Sequence, residues 1–456
     1  MPLKLLPLCW ALLCFAGFSN AQTFKPLIND PSADQEFQMS LNKKFKSDVD
    51  LLTGPYKKYI AEIYKERYEL ISDQFAEKAI ITNPETQKYL AKLVTEISKT
   101  NPSLNINNLR IHFSRAWWPN ASSMGEGTIS FNIGLFNRLD NESQAAFVLC
   151  HELAHYFLNH SNNNINRYVN TIYSDEMQKE LRQIQKEEYG KSARLEKLSK
   201  GLLFKSRRHS REYEAAADSM AVELMKNTRY DLSEAVSCLA LLDSVDNDKY
   251  DQDLSLETAF NFPNYPFRKS WIAEEETIGF AKEEVNKKEQ DSLKTHPDCS
   301  HRIQLISPML KKYQQGQPVK FITSEATFTN YKNEFDLEII NWCFESNRVS
   351  RALYYSLEML RVQPDNPFLH CMIGKCLNQI YLFQKNHELG TITDLPNADR
   401  EEKYNQLLLF IQNVRLKDIA NVCYYYLQTH AEKASAFPEY QQILNTSKLN
   451  FNNHVK

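Results

Sequence analysis

The chain has 456 residues, with 54 Lys and Arg against 57 Asp and Glu and a formal net charge of −3. That length has room for two or three domains and a sizeable core, and the even mixing of signs excludes the basic surface that nucleic acid requires. Nine cysteines scattered without close C-x-x-C pairs exclude a disulfide scaffold and a cysteine-type zinc site, though one or two bridges fit an exported chain.

The first residues, MPLKLLPLCWALLCFAGFSNAQTF, combine Lys4, a short apolar run and the small residues Ser19 and Ala21. This pattern predicts a signal peptide over 1–21 cleaved after Ala21, hence an exported protein, periplasmic or secreted. Leu13 before Cys14 is unlike a lipoprotein signal, and cleavage removes Cys9 and Cys14, leaving seven cysteines. No later segment approaches eighteen uninterrupted apolar residues, so the mature chain is expected to carry no transmembrane segment.

Residues 31–100 read as helical. Asn83-Pro84 starts an amphipathic helix through Tyr89, Leu90, Leu93, Val94 and Ile97. From Asn108 to Phe136 the pattern changes to two strand-like runs around a turn containing Gly125 and Gly127. The aromatic pair Trp117-Trp118 beside them reads as a core or loop anchor rather than a substrate pocket.

Asn141-Glu142-Ser143-Gln144 then has the form of a helix start, and AAFVLCHELAHYFLNH follows without Gly or Pro. Inside it, His151-Glu152-Leu153-Ala154-His155 is H-E-x-x-H. Residues four apart share a helix face, so both imidazoles can reach one metal ion with Glu152 on the same side. Cys150 beside them reads as inert packing.

A catalytic zinc takes three protein ligands and leaves one position open, so a third ligand has to come from elsewhere. The extended H-E-x-x-H-x-x-G-x-x-H arrangement fails, because Leu158 and Ser161 occupy the glycine and third-histidine positions. His160 is one residue out of that register and reads as a surface residue or one that backs a ligand. Downstream, Ser210-Arg211-Glu212-Tyr213-Glu214-Ala215-Ala216-Ala217-Asp218 offers a slim, alanine-rich helix. Glu214 and Asp218 share one of its faces, which would let Glu214 bind the metal while Asp218 hydrogen-bonds the outer nitrogen of a ligand histidine. Taken alone, Glu214 would read as a solvated helix acid.

H-E-x-x-H followed some sixty residues later by S-R-x-x-E-x-x-A-D resembles the gluzincin peptidase family of the CAAX prenyl proteases, the membrane protease HtpX and the periplasmic protease BepA. The resemblance implies His151, His155 and Glu214 as ligands of one Zn2+, Glu152 as general base, and Asp218 as the residue behind a ligand. Thr295-His296-Pro297 with Arg302-Ile303 is similar to a third segment of the soluble members. It implies that His296 lies over the metal, as an extra ligand or as a donor to the oxyanion, although T-H-P also reads as a plain helix start. His301 reads as a surface residue. The family's soluble exported branch fits this chain better than its membrane-embedded one, and in the family the strand before the metal helix is a sheet edge to which substrate adds as an extended strand.

The mechanism that such a ligand set implies is metal-assisted hydrolysis, with Glu152 taking a proton from the attacking water and returning it to the leaving amine. The charged segment of about 170–208 predicts a helical insertion in which Met177, Leu181 and Ile184 make a narrow stripe, as a hairpin or a flap over the cleft would. Residues 245–294, including NFPNYPF, read as an irregular excursion near the cleft. The basic run Lys205–Arg211 reads as a solvated helix start.

From about Glu334 the sequence is helix after helix. Ala352, Pro364, Gly374 and Leu377, then Ala420, Tyr424 and Leu427, resemble the tetratricopeptide pattern over one and a half repeats with the start of another. These repeats predict a dock for substrate or a protein partner, or a helical cap that only stabilises the rest.

The fold expected is α+β and mostly helical: a zincin-type metallopeptidase domain with a small sheet over 22–330, then an all-α tetratricopeptide-like region over 331–456. The function expected is a zinc-dependent endopeptidase acting on unfolded or misassembled envelope or secreted proteins, with protein or peptide as substrate. The alternatives are a chaperone or binding protein with a latent or structural metal site, and a peptidase of short peptides.

Overall fold

The computed structural model describes residues 24–186, 191–244, 254–273, 299–313, 315–397 and 400–454. The leader 1–21 and His296 lie outside the described residues. The fold is mostly helical with one small sheet, as the sequence predicts.

Helices α1 (Pro31–Asp50) and α2 (Lys57–Ala76) form a hairpin and lead into β1 (Ile80–Ile81). This two-residue strand is too short to show a period and was not foreseen. Helix α3 (Pro84–Thr100) begins where Asn83 accepts from the Thr86 backbone N–H at 3.2 Å, and it buries Tyr89, Leu90, Leu93, Val94 and Ile97.

The strand region differs from two runs around one turn. It contains β2 (Arg110–Ser114), β3 (Ala121–Ser123) and β4 (Thr128–Asn132), in the sheet order β1-β2-β4-β3. β2 and β4 are parallel, with Ile111 opposite Ile129 and Phe113 opposite Phe131, while β3 returns antiparallel and forms an edge. The turn between β3 and β4 requires glycine: Gly125 has φ +85°, and a Cβ there would lie 2.6 Å from the Ser161 Cβ. Alternation sends Phe113, Ile129 and Phe131 into the main core, while His112 and Ile80 on the other face meet Phe37, Leu41, Ile71 and Phe75 of α1 and α2.

After a short α4 (Ile133–Phe136) come α5 (Glu142–Phe157), α6 (His160–Ile172) and α7 (Asp175–Lys186). Helix α8 (Lys191–Met225) is 35 residues long and passes through Gly201 into the Glu214 motif. The second half of the charged insertion is therefore the leading end of the helix that carries Glu214. Of the predicted stripe Ile184 is fully buried, and Met177 and Leu181 are half-buried.

Helix α9 (Glu234–Leu242) packs on α5, and a short α10 (Leu256–Phe260) follows. The described part of the 245–294 segment packs on the C-terminal helices, with Phe260 stacked on Phe410 at 5.2 Å and Arg268 3.3 Å from Asp418. Helix α11 (Cys299–Leu310) returns to pack on α8 and α9.

The remainder comprises α12 (Glu325–Glu345), α13 (Val349–Met359), α14 (Pro367–Lys385), α15 (Glu402–Asn413), α16 (Leu416–Thr429), α17 (Ala431–Ala434) and α18 (Tyr440–Asn452). A Cβ on Gly374 would lie 2.6 Å from the Leu427 Cδ2, so the Leu427 side chain of α16 seats directly on the α14 backbone at that glycine. Helix α12 spans the expected join at 330, and one apolar core runs from the sheet through the C-terminal helices. Trp117 anchors this join: the Arg351 guanidinium lies 3.6 Å over its ring, while Trp118 stays 39% exposed. The seven cysteines from Cys150 onward are buried and unbridged. Among the described residues no helix is long and apolar enough to cross a membrane.

Candidate metal centre

Helix α5 is buried along nearly its whole length, which is unusual for a segment carrying two histidines and a glutamate. Its start is fixed by Asn141, whose side chain accepts from the Gln144 N–H at 3.0 Å, while the Gln144 side chain reaches back to the Asp140 N–H at 2.8 Å. Glu142 is fully buried at the positive end of the helix and accepts from Tyr89 and the backbone of Ile322 and Thr323. The register that puts His151 and His155 on one face is thus held from both the core and the C-terminal side.

Helix α8 presses its small face on α5, with Ala217 and Ala221 wholly buried. Glu214 is thereby brought under both imidazoles. The His151 and His155 Nε2 atoms are 3.0 Å apart, and each lies 3.4 Å from a Glu214 carboxylate oxygen. Each imidazole reaches a different Glu214 oxygen, and one ligand atom from each of the three residues lies within 4.8 Å of the others; two imidazoles and a carboxylate so gathered fit zinc in donor type, and the cluster is the one such group among the described residues.

Behind this triangle lies a second layer. His151 Nδ1 donates to Asp218 at 2.9 Å, and Asp218 is fully buried. Arg302 of α11, 3% exposed, grips Asp218 with two bonds of 2.7 Å and lies 3.2 Å from Glu214. On the other side His155 Nδ1 is 3.0 Å from His160 Nδ1.

Burial alone would lower the His151 pKa, but its hydrogen bonds to Asp218 and Glu214 outweigh that and push it up to about 10. Glu214 is held well below the carboxylate range because the two histidines outweigh its burial, and Asp218 is lowered by Arg302 and His151. A cation entering here competes with a proton on His151, so metal affinity falls as pH falls. Burial and the neighbouring His155 lower His160 to about 4, which keeps it neutral.

Residues 84–309, from the first residue of α3 into α11, match peptidase family M48. The stretch is similar to the M48 peptidases. M48 peptidases are zinc-dependent, so the match indicates a metallopeptidase. No curated protein matches the chain. The α1–α2 hairpin and everything beyond α11 lie outside the matched stretch.

Within the matched stretch, the structure brings His151, His155, Glu214 and Asp218 together, with Glu152 on the same helix between the two histidines. Glu152 is 6% exposed, and no described residue hydrogen-bonds its carboxylate. His301 is exposed. Two residues were undervalued by sequence reasoning. His160 is buried against His155, and its spacing five beyond His155 carries no helical rule because Asn159, with φ 56°, breaks α5 from α6. Arg302 was read only as part of a pattern, and its partners are 84 and 88 positions away in the chain.

Proposed function

We propose that the chain is a zinc-dependent endopeptidase whose ion is held by His151, His155 and Glu214, with Glu152 as general base. The observation that carries this reading is the convergence of two imidazoles and a carboxylate within 4.8 Å of one another, beside a buried glutamate that no described group engages. Bound there, the ion would supply a water acidified towards neutral pH and polarisation of a peptide carbonyl. Glu152 takes a proton from the water as the water oxygen bonds to the carbonyl carbon, and delivers it to the amine nitrogen as the carbon–nitrogen bond breaks. Asp218 and Arg302 orient His151 and neutralise the second carboxylate, so that the donors stay aimed during turnover.

The edge strand β3 supports an extended substrate that pairs through its backbone, a mode that reads chain conformation more than side chains. Unfolded or misassembled exported proteins are the substrate class that suits this mode, with the leader 1–21 directing the chain to the periplasm or outside the cell. His296, from the same segment as Arg302, is proposed to act over the metal as a ligand at rest or as an oxyanion donor. The helices after α12 are proposed to pack as tetratricopeptide-like hairpins that dock substrate or a partner protein.

The test is cleavage of casein by the purified mature chain beside Glu152→Gln, with zinc content determined in both. Cleavage by wild type alone, with about one zinc per chain in each, supports the enzyme. Zinc in both without cleavage would favour the binding-protein alternative, and cleavage of short peptides with casein refused would favour a degradative peptidase.

A further inference from the structure

The two metal-facing histidines are backed differently. The outer nitrogen of His151 meets the Asp218 carboxylate, whereas that of His155 meets another imidazole, His160 Nδ1 at 3.0 Å. Two ring nitrogens at that distance have to be one donor and one acceptor. When His155 presents an Nε2 lone pair to the metal position, its own proton sits on Nδ1, so His160 Nδ1 is the acceptor.

The placement of His160 is over-determined in a way a surface residue would not be. Asn159 adopts a left-handed conformation, with φ 56° and ψ 31°, which ends α5 and swings His160 back beneath it. The His160 ring then stacks on Tyr213 at 4.1 Å and 10°. Tyr213 immediately precedes Glu214 on α8, and its hydroxyl accepts from Arg167 of α6 at 2.6 Å. Arg167, Tyr213 and His160 therefore join α6, α8 and the end of α5 into one closed brace around two of the three ligands.

We propose that His160 is a positioning residue of the metal centre, accepting the Nδ1 proton of His155 and so holding its Nε2 on the ion. The proposal rests on the ligand reading above. Its distinctive consequence is that an acceptor, not an aromatic surface, is what position 160 supplies.

Three variants separate these roles. His160→Phe keeps the stack on Tyr213 and removes the acceptor. His160→Asn places an amide oxygen where Nδ1 stood. His155→Ala tests the site itself. Zinc affinity is measured on the full mature chain by chelator competition, with the absorption spectrum of the Co2+ form as a second readout. His160→Phe is expected to bind zinc about 10–100-fold more weakly, as loss of a ligand's hydrogen-bond partner does, with an altered Co2+ spectrum. His160→Asn is expected to recover most of the affinity and the spectrum. Wild-type affinity in His160→Phe, or an Asn variant no better than Phe, would overturn the proposal in favour of packing alone. If His155→Ala also binds zinc like wild type, the ligand reading itself is wrong and the role of His160 goes with it; loss in His155→Ala beside retention in His160→Phe removes only the role of His160.

Discussion

Two buried arginine–carboxylate pairs among the described residues, Arg115–Glu338 and Arg302–Asp218, end differently. Arg115, in the loop after β2, uses all of its N–H groups: Nε to Glu338 at 2.5 Å, Nη1 to the carbonyls of Lys78 and Ile80, and Nη2 to the Leu27 carbonyl and Asn29. Glu338 spends its other oxygen on the Leu27 N–H at 3.0 Å. Nothing is left over, and the network closes the N-terminal segment, the sheet and α12 on one another. Around Arg302 the pairing is equally tight, yet it stops at Asp218 and Glu214 and leaves three acceptor atoms facing a common point. A buried ionic network that satisfies itself is a staple, whereas one that turns lone pairs towards a common point offers the donor set of a cation site.

The sharpest way to exploit that difference is Glu152→Gln. The change should lower peptide hydrolysis by about 10²–10⁴-fold, the usual share of a general acid–base group, with zinc content unchanged. Parallel loss of zinc would mean that Glu152 belongs to the ligand set instead. Arg115→Ala should act on stability and not on chemistry. It strands Glu338 in the core and is expected to cost about 3–5 kcal/mol, read as a fall in the denaturation midpoint, while zinc affinity of the folded fraction is kept. Asp218→Asn lies between these cases: zinc binding about 10–100-fold weaker, measured by competition, with a smaller effect on folding. Equal zinc affinity in that variant would reduce Asp218 to a partner of Arg302 alone.

What could be read from sequence follows the range of the interactions. The H-E-x-x-H helix was legible because its cap, its period and its chemistry all fall within twenty residues. Glu214 and Asp218 were legible through alanine content and a spacing of four. The parallel pairing of β2 with β4 was not, since strand order depends on partners that no local pattern names, and β1 is too short to have a pattern at all. The continuity of α8 was hidden by Gly201, which reads as a break in the sequence but lies inside a 35-residue helix. Arg115 and Glu338 are 223 positions apart, and neither stands in a motif, so the staple is visible only in three dimensions. The match to M48 ends before α12, so the C-terminal helices rest on packing such as Gly374 against Leu427 rather than on family pattern.

A third charged cluster, at the cap of α5, is the one that pH tests. Glu234 accepts from Asn141 at 3.0 Å, Gln144 at 3.1 Å and Lys320 at 2.6 Å, which ties the start of the metal helix to α9. Burial raises its pKa, but those partners outweigh burial and hold it at about 2, below the ordinary 4.5. A carboxyl lowered on folding contributes fully above its unfolded pKa and loses that contribution as pH falls from about 4.5 towards 2. Glu234→Gln keeps the shape and removes the charge, so it should cost about 1–2 kcal/mol at neutral pH. The gap to wild type should narrow steadily in denaturation midpoints taken between pH 5 and about 2.5. A gap that stays constant over that range would show that the amide is disfavoured for its geometry, and that the charge on Glu234 does not hold the helix that carries His151 and His155.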